Sequence, residues 1–203
     1  MDGLICRRYN KSTKVIEATF PRANQDSTQV PHKDKLSLVY DVYTQISSNG
    51  EVCHPRVNLL FLHGSGMNRT IWEYYVAHLE DYELNWQINK IVLLDQVTHG
   101  DSAVLNEGKL GVNFDWSDGA RDACKVAQVE FDEGFPAHNV VIGHAMGGFQ
   151  AMCCGILMPN LFQLILTIEP VALMYNMVNV NDRTVLPPKF YQALYSKMAD
   201  TFG

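Results

Sequence analysis

Two kinds of apolar pattern divide the chain into an early part and a later part. In the early part, residues 36–43 (LSLVYDVY) have the valine- and tyrosine-rich composition of a strand, and residues 14–20 are a suitable partner strand. We therefore predict that the fold opens with a hairpin. Residues 21–35 and 45–56 are polar and loop-like, with proline in the first segment and serine, asparagine and glycine in the second.

Farther along, short continuous apolar runs alternate with segments of helical spacing. The apolar runs occupy residues 57–62, 90–94, 140–142 and 164–168. The helix-like segments are 70–85, with Ile71, Tyr75 and Leu79 on one face, then 117–131 and 147–157. Strands that are buried on both faces have uninterrupted apolar runs. This order therefore predicts an α/β fold, a mostly parallel sheet with helices on both faces.

Length and composition agree with one domain over residues 1–203. The 203 residues are 47% hydrophobic and 19% charged, which is typical of a globular protein. A net charge of −6 argues against nucleic acid or an anionic membrane surface as the main partner. The five cysteines have no metal-ligand spacing, which predicts reduced thiols and no metal site. No run has transmembrane length and no signal peptide is evident, so we expect a cytoplasmic protein.

The segment 138–148 (HNVVIGHAMGG) predicts a buried strand, a sharp turn and a helix. This arrangement resembles the nucleophile elbow of α/β-hydrolases, whose motif is Gly-x-Ser-x-Gly. Gly143 and Gly147 flank the turn, where strand and helix come too close for a larger side chain. His144 precedes the tip, and Ala145 occupies the tip itself. A methyl group cannot attack a carbonyl, so the sequence predicts a hydrolase scaffold without its nucleophile.

A second turn carries the candidate oxyanion hole. His63 and Gly64 follow the apolar run 57–62, and the next residue, Ser65, is expected to point its backbone N–H into the pocket. The N–H of Met146, directly after the elbow tip, is the candidate second donor. The alternative is a glycine-rich turn without a role in catalysis.

Two further strand ends carry polar candidates. Asp95, His99 and Gly100 lie in a turn after the run 90–94, and we favour a structural role for this turn over a catalytic one. Glu169 ends the run 164–168 and is a candidate for the triad acid, although a charged residue there is equally well explained as a solvated strand end.

A triad histidine is missing from its expected place. It should follow the acid in the chain, but no histidine follows His144. His144 itself is expected to point away from the pocket, and His63 and His99 belong to strand-end turns. Cys153 and Cys154 lie on the helix after the elbow, where core packing is the favoured interpretation over a reactive thiol.

The C-terminal residues predict a single amphipathic helix over 186–202. In an α/β-hydrolase this position belongs to the cap, so residues 171–203 are expected to begin that region. The predicted elements account for about six of the roughly eight strands of this fold. We therefore expect a C-terminally truncated, partial α/β-hydrolase domain.

With these motifs identified, the chain resembles the fungal peroxisomal lipase family of α/β-hydrolases. The matching stretches are 38–44 (LVYDVYT), 61–67 (FLHGSGM), 72–75 (WEYY), 95–103 (DQVTHGDSA), 113–122 (NFDWSDGARD), 139–151 (NVVIGHAMGGFQA), 159–162 (PNLF) and 169–170 (EP). The resemblance implies hydrolysis of acylglycerols or similar esters, a serine at the elbow, a cap and no cofactor. This chain departs from it at Ala145, in the missing C-terminal part, and in ending Thr-Phe-Gly rather than with a peroxisomal address.

Three hypotheses follow from these features. The first is a lipase- or esterase-like hydrolase that is inactive as written, because it lacks the nucleophile and the triad histidine. The second is a non-catalytic protein that binds an acyl ligand in the remaining pocket. The third is an interaction module that uses an exposed sheet edge and the cap helix to bind a partner that completes it, either another protein or a second copy of the chain by self-association. The first is our main prediction, with an ester or lipid as the small-molecule partner.

Overall fold

One six-stranded sheet organises the computed structural model, which describes residues 8–46, 55–79, 86–131 and 137–171. The strands are β1 (Tyr9–Glu17), β2 (Ser37–Gln45), β3 (Arg56–Leu62), β4 (Gln87–Leu94), β5 (Ala137–His144) and β6 (Leu164–Ile168). The α-helices are α1 (Glu73–His78), α2 (Gly100–Leu105), α3 (Trp116–Phe131) and α4 (Met146–Leu157). The predicted helix over 186–202 and nearly all of the predicted cap lie outside the described residues.

The strand order β1-β2-β4-β3-β5-β6 confirms a mostly parallel sheet that begins with an antiparallel pair. β2 pairs antiparallel with both β1 and β4, whereas β3 pairs parallel with β4 and β5, and β5 pairs parallel with β6. In parallel strands all carboxyl ends reach the same edge of the sheet. The turns after β3, β4, β5 and β6 therefore gather there, which brings together motifs distant in sequence.

Each face of the sheet has its own apolar core, as an α/β fold requires. On one face, Tyr40 and Val42 of β2 pack with alanines of α3 and with Cys154 of α4. On the other face, Tyr43 of β2 packs with residues of the segment that contains Trp72 and Val76. Tyr40 and Val42 belong to one core and Tyr43 to the other because successive side chains of a strand point to opposite faces.

Three predicted elements differ from the structure. β1 covers Tyr9–Glu17 rather than 14–20, because backbone pairing with β2 includes polar residues whose side chains remain exposed. The segment 70–85 begins as a 3-10 helix over Arg69–Trp72 and continues as the short α1, and residues 80–85 lie outside the described part. Helix α2 forms where only a turn was predicted.

The apolar face of the segment 69–79 also differs from the prediction. Ile71 and Tyr75 are 42% and 53% exposed, whereas Trp72 and Val76 are buried. The ring of Trp72 packs on Phe61 of β3 at a centroid distance of 5.0 Å, so contact with the sheet decides which face is buried. None of the helices in the described part is long and apolar enough to span a membrane.

Strand β6 lies at one edge of the sheet within the described residues, and its backbone there has an unpaired side. Its alternate residues Leu164, Leu166 and Ile168 are 54%, 44% and 40% exposed. An apolar edge strand of this kind is a template for pairing with another chain. We therefore expect the purified chain to sediment as dimers or larger species with a broad thermal transition.

A pair of lysine substitutions tests this expectation by sedimentation velocity. Leu166→Lys places a charge on the edge strand and should shift the population towards monomer. Val129→Lys, at a position on α3 that is 59% exposed, is the matched control and should leave the distribution unchanged. A monodisperse monomer with a sharp melt for the unmodified chain would contradict the prediction.

Candidate functional site

Ala145 forms the tip of a sharp turn between β5 and α4. Its backbone has φ 49° and ψ −111°, a conformation that is costly for a residue with a side chain. Two backbone hydrogen bonds hold it there. The N–H of Ala145 donates to the carbonyl of Ile168 at 3.0 Å, and its carbonyl accepts from the N–H of Phe149 at 3.1 Å. The turn thus has the strained geometry expected of a nucleophile elbow, with the methyl group of Ala145 at its tip.

The glycines that flank the elbow pack directly against neighbouring backbone. A Cβ atom on Gly143 would overlap the carbonyl of Gly147. A Cβ atom on Gly147 would overlap the carbonyl of Leu62, at the end of β3. These close approaches give the physical reason for glycine at both positions, because they allow strand β5, helix α4 and strand β3 to meet at the elbow.

The turn after β3 lies beside the elbow. A Cβ atom on Gly64 would be 3.3 Å from the Cβ of Ala145 and 2.8 Å from Nδ1 of His144. The hydroxyl of Ser65 donates to the sulfur of Met146 at 3.5 Å. The structure thus brings the two residues predicted to donate backbone N–H groups next to each other, on either side of the elbow tip. The ring of His144 also lies against Gly64 of this turn.

His63 is fully buried and uses both ring nitrogens. Its Nε2 accepts a hydrogen bond from the N–H of Gln96 at 3.2 Å, which requires that Nε2 carry no proton. Its Nδ1 then carries the proton and donates to the carbonyl of Gly64 at 2.9 Å. Burial lowers the pKa of the His63 imidazole, so the ring stays neutral at physiological pH. His63 therefore holds the turn that contains Gly64 and Ser65.

His99 supports the same turn from the other side. Its Nε2 accepts from the N–H of Gly66 at 3.3 Å, and its Nδ1 donates to the hydroxyl of Thr98 at 2.9 Å. Burial also lowers the pKa of His99, which favours the neutral ring that this arrangement requires. The imidazoles of His63 and His99 lie 5.0 Å apart between ring centroids. Both rings are thus already engaged in holding the turn after β3.

Asp95 sits at the centre of a buried ionic network. One oxygen accepts from the backbone N–H of Arg69 at 2.7 Å, and the other pairs with the guanidinium of Arg69 and accepts from the N–H of Asp101 at 3.0 Å. Its carboxylate also packs against Gly100, where a Cβ atom would overlap it. Every one of these contacts is to the protein's own backbone or to Arg69, which is the pattern of a structural turn.

Arg69 is a buried residue next to the site that sequence analysis missed. Its guanidinium also bonds to Asp41 of β2 at 2.9 Å and to Asp101 at 2.7 Å. Arg69, Asp41 and Asp95 come from three separate parts of the chain and are all buried. An isolated arginine in a polar stretch has no periodic or motif signal, so only the folded chain reveals that it joins the turns after β3 and β4 to β2.

The remaining candidates are the predicted acid Glu169 and the two cysteines of helix α4. Glu169 is exposed directly after β6, one residue beyond the carbonyl that binds Ala145, and its backbone has φ 46°. Cys154 is fully buried and Cys153 is partly buried. A hydrogen bond with Cys124, together with burial, raises the pKa of the Cys154 thiol. The described residues contain no group of three or more histidine, cysteine or acidic side chains arranged to bind a metal.

This geometry agrees with comparisons to known proteins. The model of the alpha/beta hydrolase family matches residues 59–200, which include the turn after β3 and the elbow. The chain belongs to the α/β-hydrolase family. Its hydrolase fold is also seen in the peroxisomal α/β-hydrolase Lpx1 from Saccharomyces cerevisiae, with a TM-score of 0.80 and 48% identity over 92% of this chain and 51% of that one.

Further relatives of this chain extend the comparison. The curated yeast protein, described as peroxisomal membrane protein LPX1, is 46% identical over 97% of this chain and 53% of its own length. A type I acyl-CoA thioesterase from Penicillium brevicompactum is 28% identical over 80% of this chain and 37% of its own. A Mycobacterium tuberculosis structure, Rv0554, shares the fold alone, with a TM-score of 0.53 and 17% identity over 89% of this chain and 57% of that one. The chain spans about half the length of the yeast relative that it matches.

Proposed function

We propose that this chain keeps the scaffold of a serine ester hydrolase and does not itself hydrolyse esters. The observation that carries the proposal is Ala145 at the tip of the strained elbow. The backbone of Ala145 and the close-packed Gly143 and Gly147 form the sharp turn that a nucleophile elbow requires, but a methyl group has no lone pair to form an acyl-enzyme. The absence of a nucleophilic atom at residue 145 is enough by itself to prevent hydrolysis, whatever the ancestral substrate was.

The substrate class of the ancestral reaction is proposed to be an acyl ester, with acylglycerols as the first choice. Support comes from the lipase-like motifs and from the thioesterase activity named for the Penicillium relatives, since oxygen esters and thioesters are attacked at the same kind of carbonyl. The name of the yeast relative includes a peroxisomal location. We extend the proposal to that location for any protein that contains this chain.

The backbone N–H groups of Ser65 and Met146 are proposed to be the two donors of an oxyanion hole. The 3.5 Å contact between their side chains supports this, because it fixes the two residues beside one another at the elbow. Such donors stabilise the negative oxygen that develops when a carbonyl is attacked, and one donor is worth about 10²- to 10³-fold in rate. Glu169 remains the proposed acid, because it lies next to the Ile168 carbonyl that anchors the elbow.

A specific observation also favours the second hypothesis, binding of an acyl ligand without turnover. The described structure keeps the turn after β3 in place through His63 and His99, even though no nucleophile is present to use it. A carbonyl or carboxylate oxygen could still accept hydrogen bonds there. Retention of a long-chain fatty acid by the purified chain, without ester cleavage, is the expected result if this hypothesis holds.

The proposal predicts no hydrolysis of p-nitrophenyl butyrate or of triacylglycerol above the buffer rate. A preorganised oxyanion hole alone gives about 10³-fold over water when the rest of the site is intact. This chain lacks both the nucleophile and the triad histidine, so we expect its rate enhancement to fall below that value and to be undetectable over the buffer rate. The assay is a spectrophotometric time course with and without a serine-reactive phosphonate.

The control is the Ser65→Ala variant, which removes the serine hydroxyl that the structure places beside the elbow. Turnover that the phosphonate abolishes would overturn the proposal. If that turnover were also lost in Ser65→Ala, Ser65 would be the nucleophile. If it persisted, another serine of the chain would be responsible.

A further inference from the structure

A cavity of about 160 Å³ lies between the connection from β1 to β2 and the segment that leads from β4 to α3. Its lining is mixed. Leu36, Val97 and Leu110 form an apolar part, and Arg22, Ser27 and Thr98 contribute polar groups. None of the residues 63–66 or 143–148 lines it, so the cavity is separate from the elbow.

Two polar side chains of this lining are buried without hydrogen-bond partners. The Nη2 atom of Arg22 has no acceptor within the described structure, and neither does the hydroxyl of Ser27. The side chain of Arg22 is only 5% exposed, and Ser27 as a whole is 4% exposed. Burying a donor without a partner is unfavourable, so native proteins rarely keep one without a ligand or water to satisfy it.

Arg22 is held rigidly in this position by the other side of its guanidinium. Its Nη1 donates to both oxygens of Asp122, at 3.0 and 2.9 Å, and to the backbone carbonyl of Thr19 at 3.3 Å. Its Nε lies 3.3 Å from Asp118. Asp118 also accepts a hydrogen bond from Arg121 at 2.7 Å. Two arginines thus balance two aspartates. Nε of Arg22 makes this ionic contact without a hydrogen bond, and Nη2 has neither an ion-pair partner nor a hydrogen-bond acceptor among the described residues.

We propose that this cavity binds a small carboxylate, with its oxygens on Arg22 Nη2 and Ser27 Oγ and a short alkyl chain against Leu36, Val97 and Leu110. The unpaired lining groups are donors, and a planar guanidinium suits the two oxygens of a carboxylate. The small volume of about 160 Å³ favours a short-chain acid. This inference is independent of any activity at the elbow.

Saturation-transfer difference NMR with sodium butyrate tests the proposal and works equally well if the chain self-associates. We expect saturable binding with a dissociation constant in the millimolar range. Ser27→Ala should weaken it by roughly three- to tenfold, the usual effect of losing one hydrogen bond. Because the Ser27 hydroxyl has no partner within the protein, its loss should leave the thermal unfolding temperature the same or higher.

Further variants and a second ligand distinguish this cavity from weak binding elsewhere on the protein. Ser12→Ala, at an exposed position of β1, should not change the affinity for butyrate. Arg22→Gln should abolish binding, with circular dichroism to check its fold.

Three results would contradict binding of a carboxylate in this cavity. If Ser27→Ala leaves butyrate binding unchanged, butyrate binds elsewhere on the protein. If no saturable binding is seen, the cavity holds water only. Equal binding of n-butanol would show that no carboxylate is recognised. Each of these three results would overturn the proposal.

Discussion

Replacing Ala145 with serine is expected to leave this chain without measurable ester hydrolysis. A serine hydroxyl needs a base within hydrogen-bond reach to become a nucleophile. Both imidazoles that support the turn beside the elbow already use their two ring nitrogens in hydrogen bonds to other groups. His63 bonds to Gly64 and Gln96, and His99 bonds to Gly66 and Thr98. The p-nitrophenyl butyrate rate of Ala145→Ser should therefore equal that of the unmodified chain.

Joining Ala145→Ser to the part of the yeast relative that this chain does not match should produce activity. The chain matches 53% of that relative, so the remainder is available to supply a base and the rest of the sheet. The gain over the same fusion with Ala145 should approach the roughly 10⁶-fold effect of a complete nucleophile–base unit. Activity from the single substitution alone would show that His63, His99 or His144 serves as the base.

Substituting Arg69 is expected to be the most destabilising single change at the site. Arg69→Met removes a cation that pairs with both Asp41 and Asp95, two carboxylates with no exposed surface. Asp41 keeps its ion pair with Lys11 at 3.2 Å, so the uncompensated charge is mainly that of Asp95. Removing one partner of a buried ion pair costs about 3–5 kcal/mol, because the remaining charge stays buried without compensation. A domain with an ordinary stability of about 5–15 kcal/mol would lose much of its free energy of unfolding.

Urea denaturation at low protein concentration measures this loss. Lys35→Met is the control, because Lys35 pairs with Glu17 at 3.1 Å on the surface and should cost less than about 1 kcal/mol. The turns after β3 and β4 should also become more susceptible to proteolysis in Arg69→Met. Equal midpoints for the two variants would show that the network around Arg69 does not stabilise the fold.

Much of the fold was predictable because its signals are local. The apolar run 164–168 coincides with β6, and the predicted helices 117–131 and 147–157 each begin within one residue of α3 and α4. A buried strand or an amphipathic helix reveals itself through the spacing of neighbouring residues. The strand, turn and helix around Ala145 were predictable for the same reason, since all their residues are consecutive in the chain.

Elements that depend on a partner were predicted less well. The polar half of β1 pairs with β2 through backbone hydrogen bonds, which leave no hydrophobic pattern in the sequence. The buried face of the segment around Trp72 was decided by the ring of Phe61 on a neighbouring strand. Neither contact can be inferred from local spacing, because each joins residues from different elements.

The sequence by itself determined the α/β architecture, the position of the sharp turn at residues 143–147 and the presence of alanine at its tip, because the signal for each strand, helix and turn lies within a short stretch of the chain. Only the tertiary structure decided what surrounds the elbow. The proton positions on His63 and His99, the pairing of Arg69 with Asp41 and Asp95, and the unpartnered donors of Arg22 and Ser27 all depend on groups far apart in the chain. Hydrogen bonds and buried charges are set by distance in space, which no pattern of neighbouring residues encodes.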